Sequence, residues 1–533
     1  MKNPMEQLGE IPAQPRTVAV IDVGSNAIRM VVAQVSADGQ SEVLERTQRS
    51  LHLGKDSFTT GLLSRQTITA ATAILRDYRR ILDTYKVQQV HAVATSAVRE
   101  ARNADAFIDR VAMAAELDVE IIEPSEESRL TVGAVLQALE DSAIARRDAL
   151  IVDVGGGSAQ IALLRKGQVV SSGTYSLGSI RLQETLGLTD EPPERAADIL
   201  RHHIASTVAT IRTALPVKRV KTLIAVGGDA RLAARQVGRP YRQNDDSDLS
   251  VIDVGAFDEF VERCVRHSVD EISRMLGVPL PDAETLVPAL LAYQTLLHET
   301  AATQMLVSSV SMRDGLLLDL ARQAAGQEDP MLADRVIQSA RSIGQKYRYD
   351  EAHVMHVADL SARIFDAMQR EHGLSPRQGL LLRVAAILHD IGGFVSTRAH
   401  HKHSYYLISN SEIFGLRRDE QMVVALTARY HRRSGPKPTH LEFMSLPREQ
   451  RIVVSKLAAI LRVADALDQG RLQQIRDVEF EHTPGELVIY AAGVPDLSLE
   501  RRALEVKADL FEDVYGLRVR LDESQRQTAH GPS

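Results

Sequence analysis

A short stretch near the middle of the chain, Ile151–Gln160 (IVDVGGGSAQ), constrains the fold more than any other. Two apolar residues lead into an acid, followed by one more apolar residue, three glycines and a serine. Ile151, Val152 and Val154 read as a buried strand running into a turn that only glycine can make. Glycine permits positive φ, and without a Cβ it lets backbone N–H groups close around a phosphate. Asp153, at the strand end, is placed to hold a Mg²⁺ ion through the ion's waters. A second copy lifts this above an ordinary turn: Val20–Asn26 reads VIDVGSN, again strand, acid, glycine and serine. Asp22 and Asp153 lie 131 residues apart. That spacing predicts two duplicated lobes facing a common cleft, the layout of a site that handles phosphate.

At 533 residues the chain is too long for one core. Its 44% hydrophobic and 25% charged residues are ordinary for a globular protein. The net charge of −7 provides no global basic field, so no DNA partner is expected, and a polyanionic substrate needs a local cluster of Arg and Lys. The one cysteine, Cys264, excludes an internal disulfide and fits a reducing cytoplasm, the expected location. The N-terminal MKNPMEQLGEIPAQPR lacks the apolar core of a signal peptide and reads as a flexible polar leader. No uncharged apolar run approaches the ~18 residues of a membrane span, so no membrane partner is expected.

Strands alternating with helical apolar spacing predict an α/β fold over the first part of the chain. Leader, first lobe and second lobe are expected at 1–16, 17–135 and 136–325. The composition changes near Gly326–Pro330. Beyond it the pattern is helical and rich in histidine, with nine of the 17 histidines between His353 and His440. A helical domain is expected at 326–476. Short strands around one helix then predict a small α/β module at 477–533.

The two turns, Asp22/Gly24/Ser25 and Asp153/Gly155/Gly156/Ser158, resemble the phosphate loops of the actin-like (ribonuclease H-like) ATPase superfold. With VATSAVREARNADAFI, IIEPSEESRL, YSLGSIRL, AVGGDARLAAR and SVSMRDGLL, the chain resembles the exopolyphosphatase / guanosine pentaphosphate phosphohydrolase (Ppx/GppA) family over roughly the first 320 residues. The resemblance implies hydrolysis of a terminal phosphoryl group from inorganic polyphosphate or guanosine pentaphosphate, with Mg²⁺ as cofactor and a homodimer as the assembly. It places the catalytic glutamate at Glu127, where a carboxylate facing the cleft directs the attacking water. It assigns phosphate contacts to Gly24, Ser25, Asn26, Arg99, Gly155, Gly156, Gly157, Ser158, Gly227 and Gly228; Arg313 reads either as a further phosphate contact or as the buried partner of an acid. Asp22, Asp153 and Gln160 are the metal-side residues. Three positions depart from the family pattern. Gln160 stands where an acid is usual, Asp229 where the glycine turn normally carries threonine, and Ala27 where serine is common. These departures leave open a lobe pair that binds polyphosphate or a nucleotide without turning it over.

In the helical region, DEAHVMHVADL, AAILHDIGG and LLRVADALD resemble the motifs of HD phosphohydrolases. The resemblance implies a divalent transition-metal site built from His353, His389, Asp390 and Asp465, with His403 and His431 as completing ligands. It also makes an HD-type metal phosphohydrolase a rival for the chain's chemistry.

Overall fold

The computed structural model describes residues 15–36, 39–140, 142–188, 191–241, 249–325, 331–432, 434–494 and 496–523. The flexible leader expected at 1–16 falls almost wholly outside them. The chain divides into two compact units, Met1–Met331 and Leu332–Ser533.

The first unit holds two sheets. One is five-stranded, in the order β3-β2-β1-β4-β5, with β1 Arg16–Val23, β2 Ala27–Val35, β3 Ser41–Ser50, β4 Gln89–Ala94 and β5 Val119–Ile121. The other has seven strands in the order β10-β11-β12-β9-β6-β7-β8. These are β6 Ala149–Val154, β7 Ala159–Arg165, β8 Gln168–Tyr175, β9 Leu223–Val226, β10 Arg239–Pro240, β11 Leu249–Asp253 and β12 Gln304–Ser308. Five strands of the second sheet, β8-β7-β6-β9-β12, repeat the order of the first, as the duplicated turns require.

The repeat extends to atomic register. Asp22 lies opposite Arg29 across β1 and β2, and Asp153 lies opposite Gln160 across β6 and β7. Between them the Gly24 N–H donates to the Ala27 carbonyl at 3.1 Å, and the Gly155 N–H to the Ser158 carbonyl at 2.9 Å. β1 and β6 are buried on both faces and run parallel to β4 and β9, which accounts for their continuous apolar pattern. Cys264 is buried in the core of the second sheet's lobe.

Chain order does not decide where every helix packs. The Met312–Ala324 helix, expected with the second lobe, buries Leu316, Leu317 and Leu320 in one cluster with Val18 and Val20 of β1 and Val31 of β2. Gly315 is needed for its approach to a neighbouring helix, since a Cβ there would overlap the Leu130 carbonyl. Its absence lets this helix press against the Pro124–Ala138 helix.

The second unit is mainly helical around one apolar core. Its chief helices are Glu351–Ala367, Pro376–Leu388, His400–Ser409, Arg418–Arg429 and Arg448–Ala466. A three-stranded sheet, β13 Val478–Thr483, β14 Glu486–Ala491 and β15 Arg518–Glu523, follows in the order β13-β14-β15 with the Ser498–Lys507 helix between its last two strands. No single helix among the described residues is long and apolar enough to cross a membrane.

Candidate active site

The two glycine turns face a cleft of about 340 Å³ in the first unit. Gly24, Ser25, Asn26, Gly155, Gly156, Gly157, Ser158, Gly227 and Gly228 all line it, beside Asp22, Glu127, Asp153, Gln160 and Arg313. The glycines are required by close approach. A Cβ at Gly156 would meet the Ser25 Cβ at 2.9 Å, and one at Gly157 would overlap the Ser96 hydroxyl. Gly227 has φ of +121°, a conformation that side chains avoid. Beside it the Tyr293 hydroxyl donates to the Val226 carbonyl and accepts the Val154 N–H at 3.1 Å, tying the ends of β9 and β6 together.

Glu127 sits in the first turn of the Pro124–Ala138 helix, which opens on proline with Glu126 and Glu127 near its positive end. The side chain is buried, with both carboxylate oxygens engaged. Arg99 Nη1 donates to one at 2.6 Å and Gln160 Nε2 to the other at 2.8 Å. Burial pushes this carboxyl up to about 7. Arg99 opposes the rise, while the charges of Asp22 and Asp153 add to it.

The arginine expected to clamp phosphate has another task. Arg99 spends Nη1 on Glu127 and on the Ile122 carbonyl at 2.5 Å, because a buried acid needs a countercharge. The guanidiniums that line the cleft are Arg29, Arg231, Arg235 and Arg313. Arg313 Nη1 lies 3.1 Å from Asp22 Oδ2, and Arg29 lies 3.7 Å from the same oxygen. Arg231 reaches the Ser309 and Val310 carbonyls. Sequence reasoning missed Arg29 and Arg231. The pleat was the available signal for Arg29, which occupies in the first hairpin the place that Gln160 occupies in the second.

Gln160, expected beside the metal, turns its amide N–H to Glu127 and to the Ser158 hydroxyl at 3.1 Å. Asp229 accepts the Thr285 hydroxyl at 3.1 Å, and burial pushes it up to about 6, so that its charge, which would repel a phosphate, is weakened. Asp153 is also raised by burial, with Asp22 contributing. These buried, mutually repelling oxygens suit a hard cation such as Mg²⁺, which takes one or two carboxylates and completes its shell with water and phosphate. No three carboxylates of the cleft converge within 4.8 Å among the described residues.

The second unit does bring ligand-type side chains that close together. His353 with His389 and Asp390, His389 with His431 and Asp465, and Asp390 with His400 and His431 form three overlapping groups, each with ligand atoms within 4.8 Å of one another. His403 belongs to none of them; His400, three residues earlier, takes the place expected for it. His400 opens the His400–Ser409 helix, where its ring faces Asp390 at 3.1 Å.

The imidazoles are wired alike. Each Nδ1 is tied to an acceptor: His353 to Asp468 at 2.8 Å, His389 to the Ala386 carbonyl at 2.7 Å and His431 to the Ala428 carbonyl at 2.6 Å. His400 Nδ1 lies 3.3 Å from the Thr397 carbonyl. The four Nε2 atoms are thereby turned inward, and those of His353 and His389 are buried without a hydrogen-bond partner. Burial, with His389 beside it, pushes His431 down to about 3, leaving its ring neutral. Asp390 and Asp465 each turn Oδ1 toward the imidazoles. Their Oδ2 atoms pair outward, Asp390 with Arg471 and Asp465 with Lys507 at 2.6 Å. Lone pairs directed at a shared centre, with the far ring nitrogens fixed, are the donor set a transition metal requires. Asp468, which fixes His353, was not foreseen.

Two α/β lobes with matched strand–turn–strand corners, facing a cleft of glycine turns, arginines and a buried acid, define an actin-like phosphoryl-handling enzyme. The chain belongs to the Ppx/GppA phosphatase family. The family model matches residues 31–324, and that for Ppx/GppA phosphatase domain III matches residues 336–510. Membership makes it a phosphoric anhydride hydrolase by class. The chain is 29% identical over 219 residues to exopolyphosphatase 2 of Mycobacterium tuberculosis, spanning 40% of this chain and 67% of that protein. An exopolyphosphatase structure from Cytophaga hutchinsonii shares the fold at 22% identity, with a TM-score of 0.51 over 59% of this chain and 99% of its own. The Aquifex aeolicus family member is 25% identical, with a TM-score of 0.48 over 58% of this chain and 99% of its own.

Proposed function

We propose that the cleft hydrolyses the terminal phosphoryl group of inorganic polyphosphate, with guanosine pentaphosphate as the second choice of substrate. Glu127 carries this reading: a buried carboxylate at the cleft, brought near neutral acidity and held by Arg99 and Gln160. The exopolyphosphatase name of the Mycobacterium tuberculosis relative supports polyphosphate. Backbone N–H groups of the two turns, with Ser25 and Ser158, cradle the phosphates, and Arg29, Arg231 and Arg313 offset their charge. Ionised Glu127 accepts a proton from water as it attacks the terminal phosphorus, releasing orthophosphate and a polymer one unit shorter. Mg²⁺, when held by Asp153 and Asp22, supplies further neutralisation of the phosphate oxygens.

Phosphate release from each substrate, with and without Mg²⁺, tests the proposal. Glu127→Gln is expected to lower kcat by ~10²-fold or more, the scale of general base catalysis. Unchanged turnover removes Glu127 from the mechanism. Tight polyphosphate binding with no release by the wild-type protein makes the lobes a sensor.

A second reading concerns the helical unit: its inward-facing Nε2 and Oδ1 atoms hold a divalent transition metal, as an HD-type centre would. Elemental analysis after incubation with Mn, Fe, Co, Ni or Zn checks it. Retained metal in the wild type, lost in His389→Ala/Asp390→Ala, is the expected result. No metal in the wild type overturns it.

A further inference from the structure

Against the second glycine turn lies the start of the Ser179–Leu186 helix, and its donors take the turn's carbonyls one after another. The Ser179 N–H donates to the Gly155 carbonyl at 2.9 Å, and those of Ile180 and Arg181 to the Gly156 carbonyl at 2.9 and 3.0 Å. The Gly157 carbonyl is taken by the Arg181 side chain, through Nε at 2.5 Å. Gly178 makes this approach possible, since a Cβ there would overlap the Gly157–Ser158 peptide. A trans peptide holds its C=O and the next N–H on opposite sides. Three carbonyls directed at the helix therefore turn the N–H groups of Gly156, Gly157 and Ser158 away from it, and all three residues line the cleft. Among the described residues none of these N–H groups donates to another backbone group.

The far side of Arg181 is held by the other lobe. Its Nη2 pairs with Glu100, and its guanidinium lies over the Phe58 ring, 4.2 Å from the centroid. Phe58 belongs to the Leu53–Thr60 helix of the first lobe. Glu100 directly follows Arg99, whose Nη1 holds Glu127. One side chain thus joins the phosphate turn of one lobe to the short segment of the other from which Glu127 is held. Two hydrogen bonds in different directions and a stacking contact together need a planar guanidinium.

On the reading that the cleft hydrolyses polyphosphate, we propose that Arg181 is a positioning residue for the reaction: it fixes the second lobe's phosphate turn in register with Glu127. Without it the arginines of the cleft still bind the polymer. The terminal phosphorus and the attacking water are then no longer held at the separation the reaction needs. The effect falls on kcat and little of it on KM.

Steady-state phosphate release from polyphosphate with Mg²⁺, with thermal unfolding of the same samples, tests this. Arg181→Ala is expected to lower kcat by ~10-fold or more and to change KM by less than ~3-fold. Guanidinium ion, added to that variant at concentrations that leave its unfolding midpoint unchanged, should restore part of kcat. Glu100→Ala should lower kcat by less, because Arg181 keeps Gly157 and Phe58. Arg181→Ala/Glu100→Ala should be no slower than Arg181→Ala alone, since two residues acting through one link do not add. An unchanged kcat in Arg181→Ala, a loss confined to KM, or losses that add in the double variant each overturn the positioning role and leave the assignment of Glu127 intact. If Arg181→Ala does not fold, an unchanged kcat in Glu100→Ala overturns it. A wild type that releases no phosphate overturns the hydrolytic reading, and the positioning role with it.

Discussion

Glu127 is subject to opposed influences, and its usefulness as a base depends on their near balance. Burial and the charges of Asp22 and Asp153 favour its protonated form, while Arg99 favours the ionised form. The result, about 7, leaves a carboxylate basic enough to take a proton and still ionised in a good part of the molecules near neutrality. Because the ionised form is the active one, kcat/KM is expected to rise with pH through about 7 and to fall on the acid side. Gln160 also bears on this balance, since its N–H supports the second carboxylate oxygen. Gln160→Glu removes a donor and places a like charge there, so the acid limb should move up by about one pH unit. A pH–rate profile of the two proteins measures the shift. An unmoved limb would mean that Gln160 does not act on Glu127 in the working enzyme.

At the level of elements, the glycine turns were legible because their chemistry is local: an acid, a glycine and a small polar residue at fixed offsets. The strands that carry them were legible as buried apolar runs. β3 was not. Its residues, SEVLERTQRS, are almost all exposed at the sheet edge, so no alternation marks it. Arg29 and Arg231 escaped notice because which face a charged residue takes depends on pairing register, a long-range property. The choice of His403 over His400 failed for a related reason: the two lie three apart on one helix, and which ring meets Asp390 depends on how that helix packs. The packing of the Met312–Ala324 helix was equally hidden, although Gly315 is needed for its close approach to the Pro124–Ala138 helix. Gly315→Ala is expected to cost about 1–3 kcal/mol, since the added methyl meets backbone and not a movable side chain. It should also lower turnover, because the helix it displaces carries Glu127. Thermal unfolding and phosphate release on the same variant check both effects.

At the scale of the whole molecule, the chain comprises two units, each with its own apolar core. Thermal unfolding is therefore expected in two transitions. A transition metal bound at the helical centre should raise only one of them, by about 2.7 kcal/mol when free metal is a hundredfold above its Kd. Calorimetry with and without Mn²⁺, and again after chelation, shows whether the shift is selective and reversible. One further consequence follows from the placement of Cys264. The only thiol in the sequence is buried, and burial pushes it up to about 11, so it stays protonated and inert to maleimide and nitroxide reagents at neutral pH. The sequence also has no tryptophan. The native chain is thus a silent background for site-directed labels. Cysteines introduced for the exposed Met113 in the first lobe and Leu280 in the second would take a spin-label pair without removing any native residue of the site. The spacing between the lobes could then be followed as polyphosphate is added.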